Sequence, residues 1–512
     1  MTVLVDRLGR VLASPLFDDR FEARRGQRWL HLRDVVLRCA CAIGLGVSLA
    51  PVAVVAAVPA IPVVVAVPFS PTNPLFMASQ LPLAYYGYVE EEFFIQGSAH
   101  TYASPLGSTP QITATLPYQT RILVRRPADS KNYSGHVILE PLHPSHSAPS
   151  LAVDFRWIYA NGDVWVGVEP PANNALLQTF NKARYGALTA NAALPVYDIL
   201  SQVAALVQSS LSPIPMLRVR SVFMQGVSAT CSTVSQYVIS FHANTTLANG
   251  HPIVNGYFPG ECSTLLPDVN VPVIRINTQL DFNAATRKAD SDSPNGRYRL
   301  YEVAGANHLA SSGPQFGENL GILHAIGVTG SIGDTISQCQ EFGPPLYAAL
   351  NDFPIWTVYD AAMRNLQQWV DHGVRPPREA QPFVTDATGK AILDQYGNYQ
   401  GGVRLPAVDV PVATLFTQGT NCFLWGYKVS FTPQLLKQLY PTHKAYVKQV
   451  SRKVQDLVAE GWLTEADGKD LIIAADASPI PTPIDASQIP ILPYSALVPL
   501  DASGEHKDDD EH

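Results

Sequence analysis

The sequence has 512 residues, of which 46% are hydrophobic, and a formal net charge of -8 at pH 7. This length is enough for a large buried core, and the negative balance argues against a nucleic-acid-binding surface. The six cysteines are scattered, and the chain contains no H-E-x-x-H run, glycine-rich phosphate loop or dinucleotide fingerprint. Composition therefore favours a soluble enzyme, for which we expect no cofactor and no metal.

The first 70 residues combine an arginine-rich stretch with an apolar run. Residues 1–38 hold eight arginines, residues 39–69 hold no charge, and no lysine or arginine follows until Arg121. This asymmetry predicts that the rest of the chain lies outside the cytoplasm, either secreted or in the cell envelope. Residues 39–57 suit the core of a cleaved signal peptide. An uncleaved anchor associating with a membrane through residues 39–69, a start site assigned too far upstream, and a buried core segment are the alternatives.

Beyond this segment, β-rich runs alternate with helix-like stretches such as "VYDILSQVAALVQSSL". The β-rich runs are "RILVRRP", "HVILEPL", "VWVGVEP", "SVFMQGV", "VPVIRIN" and "RLYEVAG". This alternation predicts an α/β fold with a mostly parallel central sheet flanked by helices. We expect one large domain over residues 80–498, in which residues 311–400 form a cap or a flank, followed by an acidic tail over residues 499–512. A helical pair is predicted near the end of the domain.

The segment "SVFMQGVSATCS" is typical of a nucleophile elbow, in which a strand turns sharply into a helix around a serine. Ser228 is the predicted nucleophile. The usual G-x-S-x-G pattern has glycine where this chain has Thr230. A serine in an ordinary turn is the alternative interpretation, so the motif needs partners elsewhere in the chain.

Two later β-rich runs supply such partners in the expected order of serine, acid and histidine. Asp281 follows one run, and His308 follows the next. Because sites of open α/β sheets lie at the carboxyl ends of strands, the three residues are predicted to meet as a catalytic triad. The competing acids are Asp290, Asp292 and Glu302.

The oxyanion hole of such a site takes one backbone N–H from the residue after the nucleophile, here Ala229. A second N–H comes from the loop after the third strand, which we assign to "PLHPSH" after "HVILE". Proline has no N–H to donate, so Pro141 is excluded. By their closeness to the strand, Leu142 or His143 is the predicted second donor. The alternative is that this loop only shapes a turn.

Four cysteines lie outside the apolar segment, and an exported chain could pair them. They are Cys231, Cys262, Cys339 and Cys422. A bond between Cys231 and Cys262 would link the elbow helix to the loop before the strand that carries the acid. Buried free thiols are the alternative.

Taken together, these motifs resemble the large, mostly uncharacterised α/β-hydrolase-domain proteins of bacteria and fungi. The resemblance covers Gly87 to Ala475. It rests on "GYVEEEFFIQGSAHTY", "TRILVRRPAD", "SGHVILEPLHPS", "RYGAL", "YDIL", the elbow, "RLYEVAGANH", "GGVRLPAVDVPVATL", "CFLWG" and "LYPTHKAYV". It implies an α/β-hydrolase fold, an esterase-like activity, and a triad at Ser228, Asp281 and His308. Where family members usually carry E-W-L-N, this chain has E-P-L-H.

The sequence thus predicts a serine hydrolase that cleaves carboxylic esters through an acyl-enzyme intermediate. Its expected partner is a small-molecule or lipid-like ester. Two alternatives are an inactive hydrolase-like binding module, which Thr230 and the E-P-L-H loop favour, and an acyltransferase that uses the same triad.

Overall fold

The computed structural model describes residues 56–67, 75–215, 218–309, 350–417 and 424–482. Most of the predicted arginine-rich and apolar segment lies outside these ranges. So do residues 310–349, the acidic tail, Cys339 and Cys422.

Eleven strands occur in the described ranges. Their bounds are β1 Val63–Val65, β2 Tyr88–Tyr102, β3 Ile112–Pro127, β4 His136–Pro141, β5 Val164–Val168, β6 Ser221–Val227, β7 Gly256–Gly260, β8 Val273–Thr278, β9 Tyr298–Val303, β10 Ala413–Phe416 and β11 Tyr427–Ser430. The first nine form one sheet in the order β1-β2-β3-β5-β4-β6-β7-β8-β9, and β10 pairs with β11 separately.

The sheet is antiparallel at one side and parallel over the rest. Strands β1, β2, β3 and β5 run antiparallel to their neighbours in that order, whereas β5, β4, β6, β7, β8 and β9 are successively parallel. This arrangement confirms the predicted α/β class with a mostly parallel sheet. It also brings the carboxyl ends of β6, β7, β8 and β9 to one edge.

Helices pack on both faces of this sheet. Their bounds are α1 Phe155–Asn161, α2 Asn174–Phe180, α3 Lys182–Tyr185, α4 Tyr197–Val207, α5 Ala229–Ser240, α6 Ile355–His372, α7 Pro406–Asp409, α8 Pro433–Leu439, α9 His443–Glu460 and α10 Glu465–Ala477. Successive side chains of β6 show why both faces are covered. Val222 and Met224 belong to the core formed with α4 and α5, and Phe223 belongs to the core formed with α1 and α6.

The predicted C-terminal helical pair is present as α9 and α10. Each helix begins after a threonine whose Oγ1 accepts a backbone N–H in the first turn, Thr442 from Ala445 and Thr464 from Asp467. Gly461 ends α9 in the left-handed conformation. Capping signals in the sequence therefore match the observed boundaries.

Two segments bear on the predicted domain limits. Residues 63–65, which the sequence analysis placed in the N-terminal segment, pair with β2, so the sheet begins before residue 80. Helix α6 lies in the second half of the predicted cap or flank, and its buried face packs in the core beside β7 and β8. Within the ranges described above, none of the helices has the length and apolar character needed to cross a bilayer.

A fully buried arginine holds the antiparallel side of the sheet to the loop after β5. Arg121 Nη1 donates to Glu92 at 2.9 Å, and its Nε and Nη2 donate to Glu169 at 3.0 and 2.9 Å. Nη1 also donates to the carbonyl of Phe76 at 2.9 Å. None of the three charged side chains is more than 1% exposed. Removal of the cation would therefore leave the Glu169 carboxylate without its ion pair and Glu92 with Arg184 alone.

We predict that Arg121→Met lowers the free energy of unfolding by about 3 to 5 kcal/mol, because breaking a buried ion pair leaves uncompensated charge. Urea denaturation of the full chain measures this loss. The matched control is Arg126→Met on the same strand. Arg126 pairs with the partly exposed Glu91, so its loss should cost about 1 kcal/mol or less. Equal losses in the two variants would contradict the central role of Arg121.

Candidate active site

The turn between β6 and α5 holds Ser228 in a strained backbone conformation. Its φ is 60° and its ψ is -124°, values that a non-glycine residue rarely adopts. The turn is sharp because α5 lies against the end of β6. A Cβ atom on Gly226 would be 2.6 Å from the carbonyl oxygen of Thr230, so only glycine permits this approach. This local geometry is that of the predicted elbow.

Thr230, the residue that departs from the usual motif, is tied into the elbow. Its Oγ1 accepts the N–H of Val227 at 2.7 Å and lies 2.8 Å from the carbonyl oxygen of the same residue. It also lies 2.8 Å from Ser150 Oγ, on the loop after β4. The hydroxyl therefore braces the turn, which a glycine at this position would not do.

The loop after β9 brings His308 to the serine. His308 Nε2 lies 2.7 Å from Ser228 Oγ, within hydrogen-bond distance. The loop is held by Asn307, whose side-chain amide donates to the carbonyls of Leu309 and Trp425. A serine hydroxyl and an imidazole in this relation can exchange a proton.

Asp281 is the predicted acid that the structure brings to His308. Its carboxylate lies 3.3 Å from His308 Nδ1, on the side of the ring opposite Ser228. Thr278 Oγ1, at the end of β8, donates to the same carboxylate at 2.5 Å. The structure thus joins the three predicted residues in one chain of contacts.

The three competing acids point elsewhere. Glu302 forms an ion pair with Arg287 at 2.9 Å. Asp292 pairs with Arg299 at 2.6 Å, and Asp290 accepts the backbone N–H of Leu300. These contacts engage all three carboxylates away from the imidazole.

Glu261, which the sequence analysis did not single out, is a second carboxylate at the imidazole. It directly follows β7, and its Oε2 lies 3.3 Å from His308 Nδ1. Tyr359 Oη of α6 donates to it at 3.1 Å, and its own N–H donates to the carbonyl of Ile276 at 2.7 Å. Its φ of 60° is, like that of Ser228, unusual for a residue with a side chain.

The two acids and the imidazole influence one another strongly. Burial raises the pKa of Glu261, the cation of His308 lowers it and Asp281 raises it, with a result of about 8. Burial lowers the pKa of His308, but the charges of Glu261 and Asp281 outweigh this effect and raise it to about 9. The imidazolium is thus stabilised by the acidic side of the site.

A disulfide links the elbow helix to the strand end that carries Glu261. Cys231, in the first turn of α5, is bonded to Cys262, and their Cα atoms are 6.0 Å apart. This is one of the pairings that the sequence left open. The bond connects the residue next to Glu261 with the helix that starts at the nucleophile, so it restrains both backbones at once.

The predicted second oxyanion donors do not have free N–H groups. Leu142 N–H donates to the carbonyl of Val168, because the β4–β5 ladder continues past Pro141. His143 N–H donates to the carbonyl of Ala148, because the loop folds back on itself. The prediction of a backbone donor at either residue is therefore wrong. Ala229 remains suitable, since the first residue of a helix has no carbonyl one turn earlier to accept its N–H.

The side chain of His143 is close enough to His308 for the charge of one ring to act on the other. Its Nδ1 accepts the backbone N–H of Ser145 at 3.2 Å, and its ring stacks on that of His146 at 4.7 Å. Burial lowers the pKa of His143 to about 4, with further lowering by His146 and His308. The ring is therefore neutral at pH 7, with its proton on Nε2.

The loop that carries His143 is fixed by the buried ion network of the sheet. Ser147 Oγ donates to Glu169 at 2.7 Å, and Asn173 bridges the carbonyl of His143 and the same glutamate at 2.8 Å each. Glu169 is the carboxylate that pairs with Arg121. The position of the loop thus depends on a charge cluster in the core.

Three donors at the site are also spaced closely enough to hold a cation. Ligand atoms of Glu261, Asp281 and His308 all lie within 4.8 Å of one another. The expectation of a metal-free enzyme remains a prediction.

Comparison with known proteins gives one match that covers most of the chain. The family model described as an alpha/beta hydrolase domain matches residues 57–473. None of the curated proteins matches the sequence.

Solved structures show only distant likeness. A cold-adapted esterase from an Arctic intertidal metagenomic library shares 12% identity over 41% of this chain and 84% of that one, with a TM-score of 0.21. One of two fungal esterases from Rhizomucor miehei shares 10% sequence identity over 47% of this chain and 84% of that one, with a TM-score of 0.28. Brefeldin A esterase, a bacterial homologue of human hormone-sensitive lipase, shares 13% sequence identity over 36% of this chain and 44% of that one, with a TM-score of 0.20.

The extent of the family match confirms the resemblance inferred from the motifs. It begins near the first strand of the sheet and ends within α10. The chain belongs to the alpha/beta hydrolase domain family.

Proposed function

We propose that the protein is a serine hydrolase that cleaves carboxylic esters through an acyl-enzyme intermediate. The observation that carries this proposal is the 2.7 Å contact between Ser228 Oγ and His308 Nε2 at a strained elbow. A turn serine without a chemical role would need neither the positive φ nor the imidazole. Family membership supports the general class of reaction.

The proposed reaction has two stages. His308 Nε2 takes the proton of Ser228 while Oγ attacks the ester carbonyl, and the tetrahedral intermediate collapses to expel the alcohol, which receives that proton. Water then attacks the carbonyl of the acyl-enzyme while His308 takes a proton from the water. The second tetrahedral intermediate breaks its bond to Ser228 Oγ, which receives that proton from His308, and the carboxylic acid is released. Asp281 holds the imidazole through Nδ1 during both stages.

The oxyanion is proposed to be stabilised by Ala229 N–H and by the His143 side chain. The backbone N–H of His143 donates to Ala148, and its Nδ1 accepts the N–H of Ser145. The Nε2–H of the ring takes part in neither of these bonds. Family members usually carry asparagine at this position, which also has a side-chain N–H. Support for this role is the closeness of His143 to His308, whose charge lowers the pKa of His143.

We predict that a fluorophosphonate probe labels Ser228 in the native protein, because the reagent reacts with activated serines. Peptide mapping should place the adduct on Ser228, and Ser228→Ala should abolish both labelling and hydrolysis of p-nitrophenyl acetate. Ser232→Ala, four residues further along the chain, is the control and should be labelled normally. Adduct on another residue would refute the assignment, and an unlabelled, folded wild type would favour the inactive binding module.

The role of His143 is tested with a pair of substitutions. Removal of an oxyanion donor lowers kcat by about 100- to 1,000-fold in other hydrolytic sites, so His143→Ala should fall in that range. His143→Asn restores a side-chain N–H and should retain most of the activity. Steady-state kinetics on the same ester measures both. If the two variants were equally active, the N–H of the side chain would not contribute.

We also propose that the domain is exported. The Cys231–Cys262 bond supports this, since disulfides persist mainly in oxidising compartments. Protein recovered from its native host should yield the two cysteines as one disulfide-linked peptide and a first residue near Val58 or Ile61. An intact chain from Met1 in the cytosol, with both thiols reduced, would refute export.

A further inference from the structure

The acidic side of His308 contains one carboxylate more than a triad needs. Asp281 and Glu261 come from the ends of neighbouring strands, and each lies 3.3 Å from Nδ1. Nδ1 is hydrogen-bonded to Asp281, and Glu261 contacts the same nitrogen as an ion-pair partner, so Glu261 is placed to receive the N–H if Asp281 no longer does. A buried glutamate without a role at this place would be costly, because its charge is taken out of water beside another carboxylate.

Three features hold Glu261 against the imidazole. Its backbone has a φ of 60°, and its N–H is bonded to Ile276 of the adjacent strand. Its side chain accepts the Tyr359 hydroxyl. The next residue, Cys262, is covalently joined to the helix that begins at Ser228. The unusual backbone conformation of Glu261 is thus held by the adjacent strand and by the disulfide to the elbow helix.

We propose, on the basis of the proposed function, that Glu261 is a second positioning residue for His308. It lies at Nδ1 beside Asp281 and holds the imidazole through that nitrogen when the Asp281 carboxylate is removed. The titratable groups that face the pair are Asp281 from the loop after β8, Tyr359 from α6 and His143 from the loop after β4. His143 is neutral at pH 7, so the negative charge that faces His308 comes from Asp281 and, where it is ionised, from Glu261.

The proposal changes what is expected of the triad acid. In a site with a single acid, its replacement by the amide costs about 10,000-fold in kcat, because the wrong tautomer of the histidine is favoured. Here Glu261 can still accept the Nδ1 proton, so Asp281→Asn should lose only about 10- to 100-fold. The double variant Asp281→Asn, Glu261→Gln should reach the full loss.

The pH dependence gives a readout that a purely structural role would not move. Both carboxylates favour the imidazolium, so removal of one should lower the pKa of His308. In Glu261→Gln, the rise of kcat/KM with pH should therefore shift about one unit toward acid. Glu302→Gln, a buried glutamate paired with Arg287 away from the site, is the matched control and should keep the profile of the wild type.

The experiment measures the titration of His308 directly, by nitrogen-15 NMR of the full chain with labelled histidine and with EDTA present. The signal is assigned by its loss in His308→Ala. A fall of about one unit in Glu261→Gln is expected. An unchanged titration, together with an Asp281→Asn loss equal to that of the double variant, would overturn the proposal. Because the titration needs no substrate, it decides the role of Glu261 even if the protein hydrolyses no ester.

If Glu261→Gln does not fold, a second pair at the same position replaces it. Aspartate and asparagine both tolerate a positive φ and have nearly the same shape, but only aspartate carries a charge. The His308 pKa should be higher in Glu261→Asp than in Glu261→Asn, and equal values in the two would also overturn the proposal.

Discussion

The contact between helix α5 and the end of strand β6 is the constraint on which the rest of the site depends. Gly226 permits a separation that no side chain would allow, and Thr230 bonds back to Val227 across the same turn. This close contact forces Ser228 into its positive φ and directs the hydroxyl to the sheet edge. His308 and the acids can meet the serine only because parallel strands deliver them to that edge.

The buried charges on the antiparallel side of the sheet and those at the active site have different effects. On the antiparallel side, Arg121 and Arg184 are matched by Glu92 and Glu169, and the cluster extends through Glu169 to the loop of His143. At the site, Glu261 and Asp281 face a single imidazole, and their charges raise the pKa of His308 to about 9. The first cluster is balanced at rest and gives rigidity. The second cluster stabilises the imidazolium, which is the form His308 takes when it removes the proton of the serine.

Much of the site follows from the sequence, since strand-end positions and chain order were enough to select Ser228, Asp281 and His308, which the structure brings together. Glu261 was missed because β7, "GYFPG", lacks the β-branched residues that mark a strand, and without that strand its glutamate has no assigned edge. The donors at Leu142 and His143 failed for another reason. The partner of the Leu142 N–H, Val168, is distant in sequence, and the partner of the His143 N–H, Ala148, is reached only because the loop folds back, which the local pattern does not show.

The buried carboxylate of Glu261 makes the stability of the folded protein depend on pH. A glutamate titrates near 4.5 when unfolded, whereas Glu261 keeps its proton in the folded chain up to about pH 8. Between these values the folded state binds more protons, so the free energy of unfolding falls as pH rises. Because the charge of Glu261 is the main cause that raises the pKa of His308, the two groups hold this extra proton as a pair. Alkaline solution, which frees the imidazole to act as a base, thus weakens the fold that positions it, and the working range is a compromise between the two.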